Sequence, residues 1–405
     1  MRENLLRSLN REINEHREFW DYYGSMSAER VFESDESARQ FILEYYRNGS
    51  KSRVMKEWKT DMDVGRMFRN THMVNVFFIG AMLQREKDCQ LALLSKQNKD
   101  NYPFAYLWFL VCLAHDIGYG FEKEKNDEEL NRVRRCYKNY VGKYTPCIGR
   151  GQYYRCQEED IKCMVPSFPI RRYCFVDMNG FRKENEREPI CGQFCRGTIS
   201  YNNGTEIKRG WYDVRTIDRY FFYKLLERKK PDHGIMGADK FFSDIIENYH
   251  LNYNNKRREG SFERFKNEEG KWFGCEQFKV FAYIANCIAA HNVFKAANGK
   301  TTIDLYNQYG LHRLLPGKFK PISYDKDPLL FMLCVADTLE PTKRFRDYDN
   351  REILEHINIM YDAEENLIHV EIDEMWRMLE EAHEYIDNVR ELKTWCDIKV
   401  VADFA

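Results

Sequence analysis

The chain has 405 residues, enough for two or three domains, and its 63 Lys and Arg balance 64 Asp and Glu. The resulting net charge of −1 gives no bulk electrostatic signal for a nucleic acid or an anionic membrane as partner. A hydrophobic share of 43% excludes a disordered chain. The N-terminal stretch is charged throughout, and the most apolar run, Tyr106 to Ala114, is too short to span a bilayer. We therefore expect a cytoplasmic protein that does not associate with membranes.

Most of the chain carries helical periodicity. Residues 1–60 hold two or three amphipathic segments. Two buried helices are predicted at 64–86 and 103–116, and the second is apolar on nearly every face, which places it in the centre of a helical domain. Helical patterns return at 214–228, 233–250, 275–297, 329–339 and about 351–396. The sequence therefore predicts an all-α fold.

Residues 121–213 interrupt this helical pattern. The segment Thr198 to Ile207 contains Asn203-Gly204 between strand-forming residues, which predicts a β-hairpin. The interruption is also rich in cysteine: Cys136, Cys147, Cys156, Cys163, Cys174, Cys191 and Cys195. These could form a structural zinc site, although the lack of a CxxC pair favours free thiols. Its mixed aromatic and basic residues would suit a nucleobase-binding lid or a surface for a partner.

The pair His115-Asp116 stands at the end of the most apolar helix. Burying an ionised carboxylate and an unpaired imidazole is costly, and a divalent cation would satisfy both side chains at once. An imidazole beside a carboxylate suits Zn, Fe, Mn or Co better than Ca. The pair is therefore predicted to bind a metal ion together with ligands from other helices.

Further candidate ligands lie on apolar stretches of their own. His72 lies within the buried helix 64–86, and Asp337 is a lone carboxylate after seven uncharged residues, which calls for a partner. His291 follows an apolar run that begins at residue 280. His233 begins a helix whose small residues permit close approach of a neighbour.

The order His72, His115-Asp116, Asp337 on buried helices resembles the HD superfamily of metal-dependent phosphohydrolases. His233 and His291 match the two intervening histidines of members that bind two metals. The resemblance implies an HD-domain helical bundle with a Cys-rich, irregular insertion that carries a β-hairpin, and with extra helices at both ends. The expected divisions are N-terminal helices (1–60), the first part of the HD domain (61–120), the insertion (121–213), the second part of the HD domain (214–345) and C-terminal helices (346–405).

The resemblance also implies a mechanism. Two divalent ions, drawn from Fe, Mn, Co, Ni, Zn or Mg, would share Asp116, whose two oxygens can serve both. His72, His115 and Asp337 would complete one ion's protein ligands, and His233 with His291 the other's. A bridging hydroxide would then attack phosphorus, with Asp116 as a catalytic residue. His233 could instead be the catalytic general acid of a one-metal enzyme.

Other polar residues are placed near these ligands by helical spacing. Lys240, Lys295 and Arg344 are candidate phosphate contacts, or else solvated surface cations. The candidate side chains for orienting ligands are Asn70, Asn75 and Asn292.

Two local segments narrow the comparison within the HD superfamily. The segment from Val335 to Pro341, with Arg344, resembles HD enzymes that cleave diadenosine tetraphosphate symmetrically. The segment from Asp232 to Ala238 resembles those enzymes and also the HD nuclease domains of CRISPR systems. Tyr119 stands where deoxynucleotide triphosphohydrolases carry His, which makes a phosphate-binding role for it doubtful. We expect hydrolysis of a dinucleoside polyphosphate, a nucleoside phosphate or a cyclic nucleotide. The alternatives are a nuclease on single-stranded DNA or RNA and a non-catalytic nucleotide sensor.

Overall fold

The computed structural model describes residues 3–15, 31–44, 69–86, 104–131, 176–177, 180–181, 198–200, 206–208, 223–238, 240–241, 284–285, 287–292, 321–324, 328–345 and 347–405. This part of the chain is mostly helical, in agreement with the helical periodicity of the sequence. Its first helices are α1 (Leu5–Glu15), α2 (Asp35–Glu44), α3 (Asn70–Glu86) and α4 (Phe104–Ala114). Shorter helical stretches occupy 127–131, 223–227, 233–238 and 287–290. None of the described helices is long and apolar enough to cross a membrane.

The core is built around α3 and α4 and the later helix α5 (Pro328–Leu339). Helix α3 contacts α1, α2, α4 and α5. Both α4 and α5 are apolar, and their described residues are buried almost all round, as the sequence predicts. Gly80 lets α3 approach α4, since a Cβ atom at this position would lie 2.0 Å from the Trp108 ring. The Trp108 indole N–H donates to the Phe77 carbonyl at 2.9 Å, so the buried ring keeps a hydrogen bond.

The C-terminal segment corrects the prediction that 346–405 contains only helices. Two α-helices are present, α6 (Asn350–Glu355) and α7 (Glu380–Trp395), but three strands accompany them. They are β5 (Ile357–Asp362), β6 (Leu367–Ile372) and β7 (Lys399–Phe404). The numbering follows chain order, and β1 to β4 belong to the insertion. Strand β6 lies in the middle, antiparallel to β5 and parallel to β7.

The strands β5 and β6 form because their buried residues alternate with a period of two. Ile357 and Ile359 of β5 are buried, and so are Ile368, Val370 and Ile372 of β6. Alternating β-branched residues favour a half-buried strand over a helix. The parallel partner β7 is reached through α7, so this pairing depends on a crossover that no local pattern encodes.

The insertion contains two short antiparallel pairs. Strands β1 (Val176–Asp177) and β2 (Gly180–Phe181) form the first, and β3 (Thr198–Ser200) and β4 (Glu206–Lys208) form the second. In the second pair Ile199 lies opposite Ile207, which confirms the predicted hairpin. The cysteines of the insertion lie outside the described residues, and so does the choice between zinc ligands and free thiols.

Candidate metal centre

The six predicted ligand residues meet at one end of the helical core. His72 lies in the first turn of α3, His115 and Asp116 directly follow α4, and Asp337 lies near the end of α5. The two remaining histidines come from shorter helical stretches, His233 at the start of 233–238 and His291 directly after 287–290.

Close backbone contact brings the His115-Asp116 turn to the helix that begins at His233. Asp232 caps that helix, because its Oδ1 accepts a hydrogen bond from the Ile235 N–H at 3.1 Å. Gly118, in the 3-10 turn Ile117–Phe121, lies directly against it: a Cβ atom at Gly118 would lie 1.8 Å from the His233 carbonyl oxygen. Only a residue without a side chain fits here.

The six side chains form two groups that could each hold a metal ion: His72, His115 and Asp337, and then Asp116, His233 and His291. In each group the donor atoms all lie within 4.8 Å of one another. In the first group, His72 Nε2 lies 3.2 Å from His115 Nε2 and 3.1 Å from Asp337 Oδ1. Two imidazole nitrogens and a carboxylate oxygen this close share either a proton or a cation.

Asp116 lies between the two groups. Its Oδ1 is 3.3 Å from His115 Nε2 and 3.7 Å from His233 Nε2, and its Oδ2 is 3.3 Å from His72 Nε2. Oδ2 is buried and accepts no hydrogen bond from any described residue. A buried carboxylate oxygen without a donor is costly, so the donor set fits a divalent cation. The structure therefore supports the expectation of a buried His/Asp site for metal.

Three of the histidines have the ring nitrogen that faces away from the cluster fixed by an acceptor. The pairs are His72 Nδ1 with Glu340 Oε2 at 2.6 Å, His115 Nδ1 with the Cys112 carbonyl at 2.8 Å, and His291 Nδ1 with the Ile288 carbonyl at 2.6 Å. An N–H at Nδ1 that donates to such an acceptor leaves the Nε2 lone pair directed at the cluster. The fourth, His233, has its Nδ1 3.6 Å from Glu122 Oε1.

Glu340 is the main positioning residue that sequence reasoning missed. It is fully buried, and its second oxygen accepts from Asn75 Nδ2 at 2.9 Å and from Thr342 Oγ1 at 2.6 Å. Asn75 thus acts on His72 through this carboxylate, while Asn70 donates to Asp35 Oδ2 at 2.7 Å. The available signal was an acidic residue three positions after Asp337, at the end of an apolar helix.

Charges within the cluster shift its pKa values in opposite directions. Burial and the Lys343 ammonium lower the pKa of His72, but the carboxylates of Glu340 and Asp337 outweigh them and raise it to about 9. Burial raises the pKa of Asp116, but the neighbouring histidines lower it well below its ordinary value. Burial, with the charge of His233 beside it, lowers the pKa of His291 to about 4. The cluster therefore combines the ionised Asp116 and the neutral His291, both ready to bind metal, with His72, which must lose a proton before it can bind.

The cluster opens onto a cavity whose described lining includes three cationic side chains, Arg69, Lys343 and Arg344. Arg344 is the predicted phosphate contact that the structure places here. Lys240 is exposed and does not line the cavity, and Lys295 lies outside the described residues, so their predicted roles stay predictions.

Arg69 and Lys343 were missed by sequence reasoning. Arg69 precedes His72 by three residues, which is one helical turn, and its Nη1 lies 3.8 Å from Asp116 Oδ2. Lys343 Nζ lies 2.5 Å from Asp337 Oδ1 and 2.6 Å from the Asp337 carbonyl oxygen. Lys343 follows a proline-containing turn, so helical spacing from Asp337 could not have placed it.

Tyr119 also lines the cavity, beside Arg69. The Arg69 guanidinium lies 4.0 Å from the centre of the Tyr119 ring on one side. The His233 ring stacks on Tyr119 with centroids 3.9 Å apart and an angle of 13° between the planes. Burial and the charge of Asp116 raise the pKa of Tyr119, so the phenol stays neutral and holds the arginine and the histidine in place.

Comparison with the models of known protein families, with curated proteins and with solved structures finds no match to this chain. The six residues are a candidate metal site on their own geometry: converging nitrogen and oxygen donors, fixed ring orientations and a buried carboxylate oxygen without a donor.

Proposed function

We propose that the protein is an HD-type, metal-dependent phosphohydrolase that cleaves a phosphoester or phosphoanhydride bond of a nucleotide. The observation that carries this proposal is the pair of donor groups that meet at Asp116 and open onto a cavity lined by cations. Such a site offers positive charge for phosphate oxygens directly beside the residues that could bind metal.

Two divalent ions fit the donor set. His72, His115 and Asp337 would hold one, His233 and His291 the other, and Asp116 would serve both. Four imidazoles and two carboxylates suit Mn, Fe, Co, Ni or Zn, and Mg less well. When bound, such ions lower the pKa of water and polarise phosphoryl oxygens.

The chain's own residues would then bind and orient the substrate. Arg69 and Arg344 line the cavity and would neutralise phosphate oxygens, Arg69 with its guanidinium already aligned by the Tyr119 ring. Lys343 would provide a further positive charge beside Asp337. Glu340 would hold the His72 ring in the orientation that directs Nε2 at the cluster.

The remaining described lining of the cavity would suit a nucleotide better than free phosphate. Asn388 and Trp395, both on α7, line it together with Thr338 of α5. The Trp395 indole N–H is buried and donates to no described residue. The Asn388 amide would offer hydrogen bonds to a base, while Arg69 and Lys343 lie beside Asp116 and Asp337.

Full-length protein should be tested after loading with each of Mn, Fe, Co, Ni, Zn and Mg. The substrate panel contains dinucleoside polyphosphates, nucleoside phosphates, cyclic nucleotides and single-stranded oligonucleotides, with products separated by chromatography. Asp116→Asn should lower turnover by roughly a thousandfold or more, since it removes the carboxylate shared by both groups. Asp127→Asn, at a highly exposed side chain, is the matched control and should turn over substrate like the unchanged protein.

Two outcomes would contradict the proposal. One is a lack of product from every substrate while metal content shows that the ions are bound. The other is equal turnover by Asp116→Asn and Asp127→Asn. Cleavage of oligonucleotides with no turnover of small nucleotides would instead support the nuclease alternative.

A further inference from the structure

Asn292 lies against the second donor group but is not one of its three residues. It directly follows His291, is partly buried and lines the cavity. Its Nδ2 atom is 2.7 Å from His233 Nε2 and 2.9 Å from His291 Nε2. The end of this side chain therefore contacts both imidazole nitrogens that would bind the second ion.

These two distances are those expected between ligands of a single ion. Divalent ions bind nitrogen and oxygen donors at about 2.1 Å, so two donors at right angles lie about 3.0 Å apart. The terminal atom of Asn292 is at nearly this spacing from both histidine nitrogens. An ion that binds His233 and His291 would consequently lie within reach of Asn292 as well.

A primary amide such as that of Asn292 can present either its nitrogen or its oxygen to the same neighbours. A half-turn about the last side-chain bond exchanges Nδ2 and Oδ1 without changing the shape of the group. With nitrogen inward, the amide donates to two imidazole lone pairs. With oxygen inward, it presents lone pairs of its own, and amide oxygen is a ligand that divalent ions accept.

The two donor groups differ in the number of protein ligands that they contain. With Asp116 shared, the first group has four among the described residues: His72, His115, Asp337 and Asp116. The second group has only three, Asp116, His233 and His291. An oxygen from Asn292 would give the second ion four protein ligands, like the first.

We propose that Asn292 supplies an oxygen ligand to the ion held by Asp116, His233 and His291. This inference rests on the two-ion centre of the proposed function. It adds one residue to that centre and assigns it to the second ion only.

The test measures metal binding by full-length protein and does not depend on activity. Mn²⁺ is titrated into metal-free protein by calorimetry, and bound metal is counted after gel filtration. Asn292→Ala should weaken binding of the second ion by about tenfold or more and leave the first unchanged. Asn292→Asp, which keeps the shape and offers a carboxylate oxygen, should retain or strengthen the second ion. Asn358→Ala in β5 is the control, and thermal unfolding checks that all variants are folded.

Cobalt provides a second readout of the same inference. Loss of one ligand changes the visible absorption of bound Co²⁺, so the spectrum of the second ion should differ between Asn292→Ala and the unchanged protein.

The outcomes separate the inference from the function on which it rests. If Asn292→Ala binds the second ion more tightly, the amide only competes with metal for the histidine lone pairs, and the inference is wrong. If Asn292→Ala binds both ions like Asn358→Ala, the inference is wrong while the two-ion centre stands. If the unchanged protein binds fewer than two ions, the two-ion proposal itself fails, and the inference fails with it.

Discussion

Replacing Gly118 with alanine should disrupt the metal centre without touching any ligand. A Cβ atom at this position would lie 1.8 Å from the His233 carbonyl oxygen and 2.6 Å from the Gly237 backbone nitrogen. Ordinary contacts of a Cβ atom begin at 3.4 Å, so the two backbones must separate by about 1.6 Å. Because both neighbours are backbone atoms, no side chain can rotate away to relieve the clash.

The expected consequences follow from the size of this shift. Asp116 Oδ1 lies 3.7 Å from His233 Nε2. These side chains are carried by the two backbone segments that must separate, so the distance between them would change. A misplacement of about 1 Å in a catalytic site can cost about a hundredfold in rate, and overpacking costs about 1–3 kcal/mol of stability. We therefore expect Gly118→Ala to bind the second ion at least tenfold more weakly and to lose about a hundredfold in turnover.

Gly120→Ala is the matched control in the same 3-10 turn. Gly120 is exposed, and a Cβ atom there would meet nothing within 4 Å. Both variants are compared by Mn²⁺ titration, turnover and thermal unfolding. Equal metal affinity and equal melting temperature for the two alanine variants would refute the argument that contact at Gly118 sets the geometry of the site.

Three further predictions concern the helices around the site. Glu340→Gln replaces the carboxylate that accepts from His72 Nδ1 with a neutral amide and should weaken Mn²⁺ binding by about 10–100-fold. Glu355→Gln on the surface should leave Mn²⁺ binding unchanged, and equal affinities of the two variants would contradict this role of Glu340. Because the pKa of His72 is about 9, protonation competes with metal below that value, so affinity for Mn²⁺ should rise with pH up to about 9. A flat pH profile of calorimetric affinity would contradict it. Gly80→Ala should lower stability by about 1–3 kcal/mol through its clash with Trp108 while folded protein binds the same number of ions, and an unchanged melting temperature would count against it.

Four of the candidate ligands could be found from the sequence as local anomalies, whereas His233 and His291 were assigned to the site through the resemblance to HD enzymes. Asp337 and His72 are polar residues within apolar helices, and His115-Asp116 ends the most apolar one. Burial of such groups without a partner is costly, so the pattern itself predicts that they meet. The same local logic identified the helices of the core and the hairpin around Asn203-Gly204.

The tertiary structure decided which further side chains lie beside the candidate ligands and line the cavity. Arg69 and Lys343 were not singled out in the sequence, and they reach the cavity because separate elements pack against one another. The contact of Asn292 with His233 joins residues 59 positions apart. The mixed sheet at the C-terminus likewise needs β7 to return beside β6 across α7. Sequence patterns indicate which polar groups must be buried. Which side chain each buried group contacts depends on how distant parts of the chain pack together, and only the tertiary structure shows this.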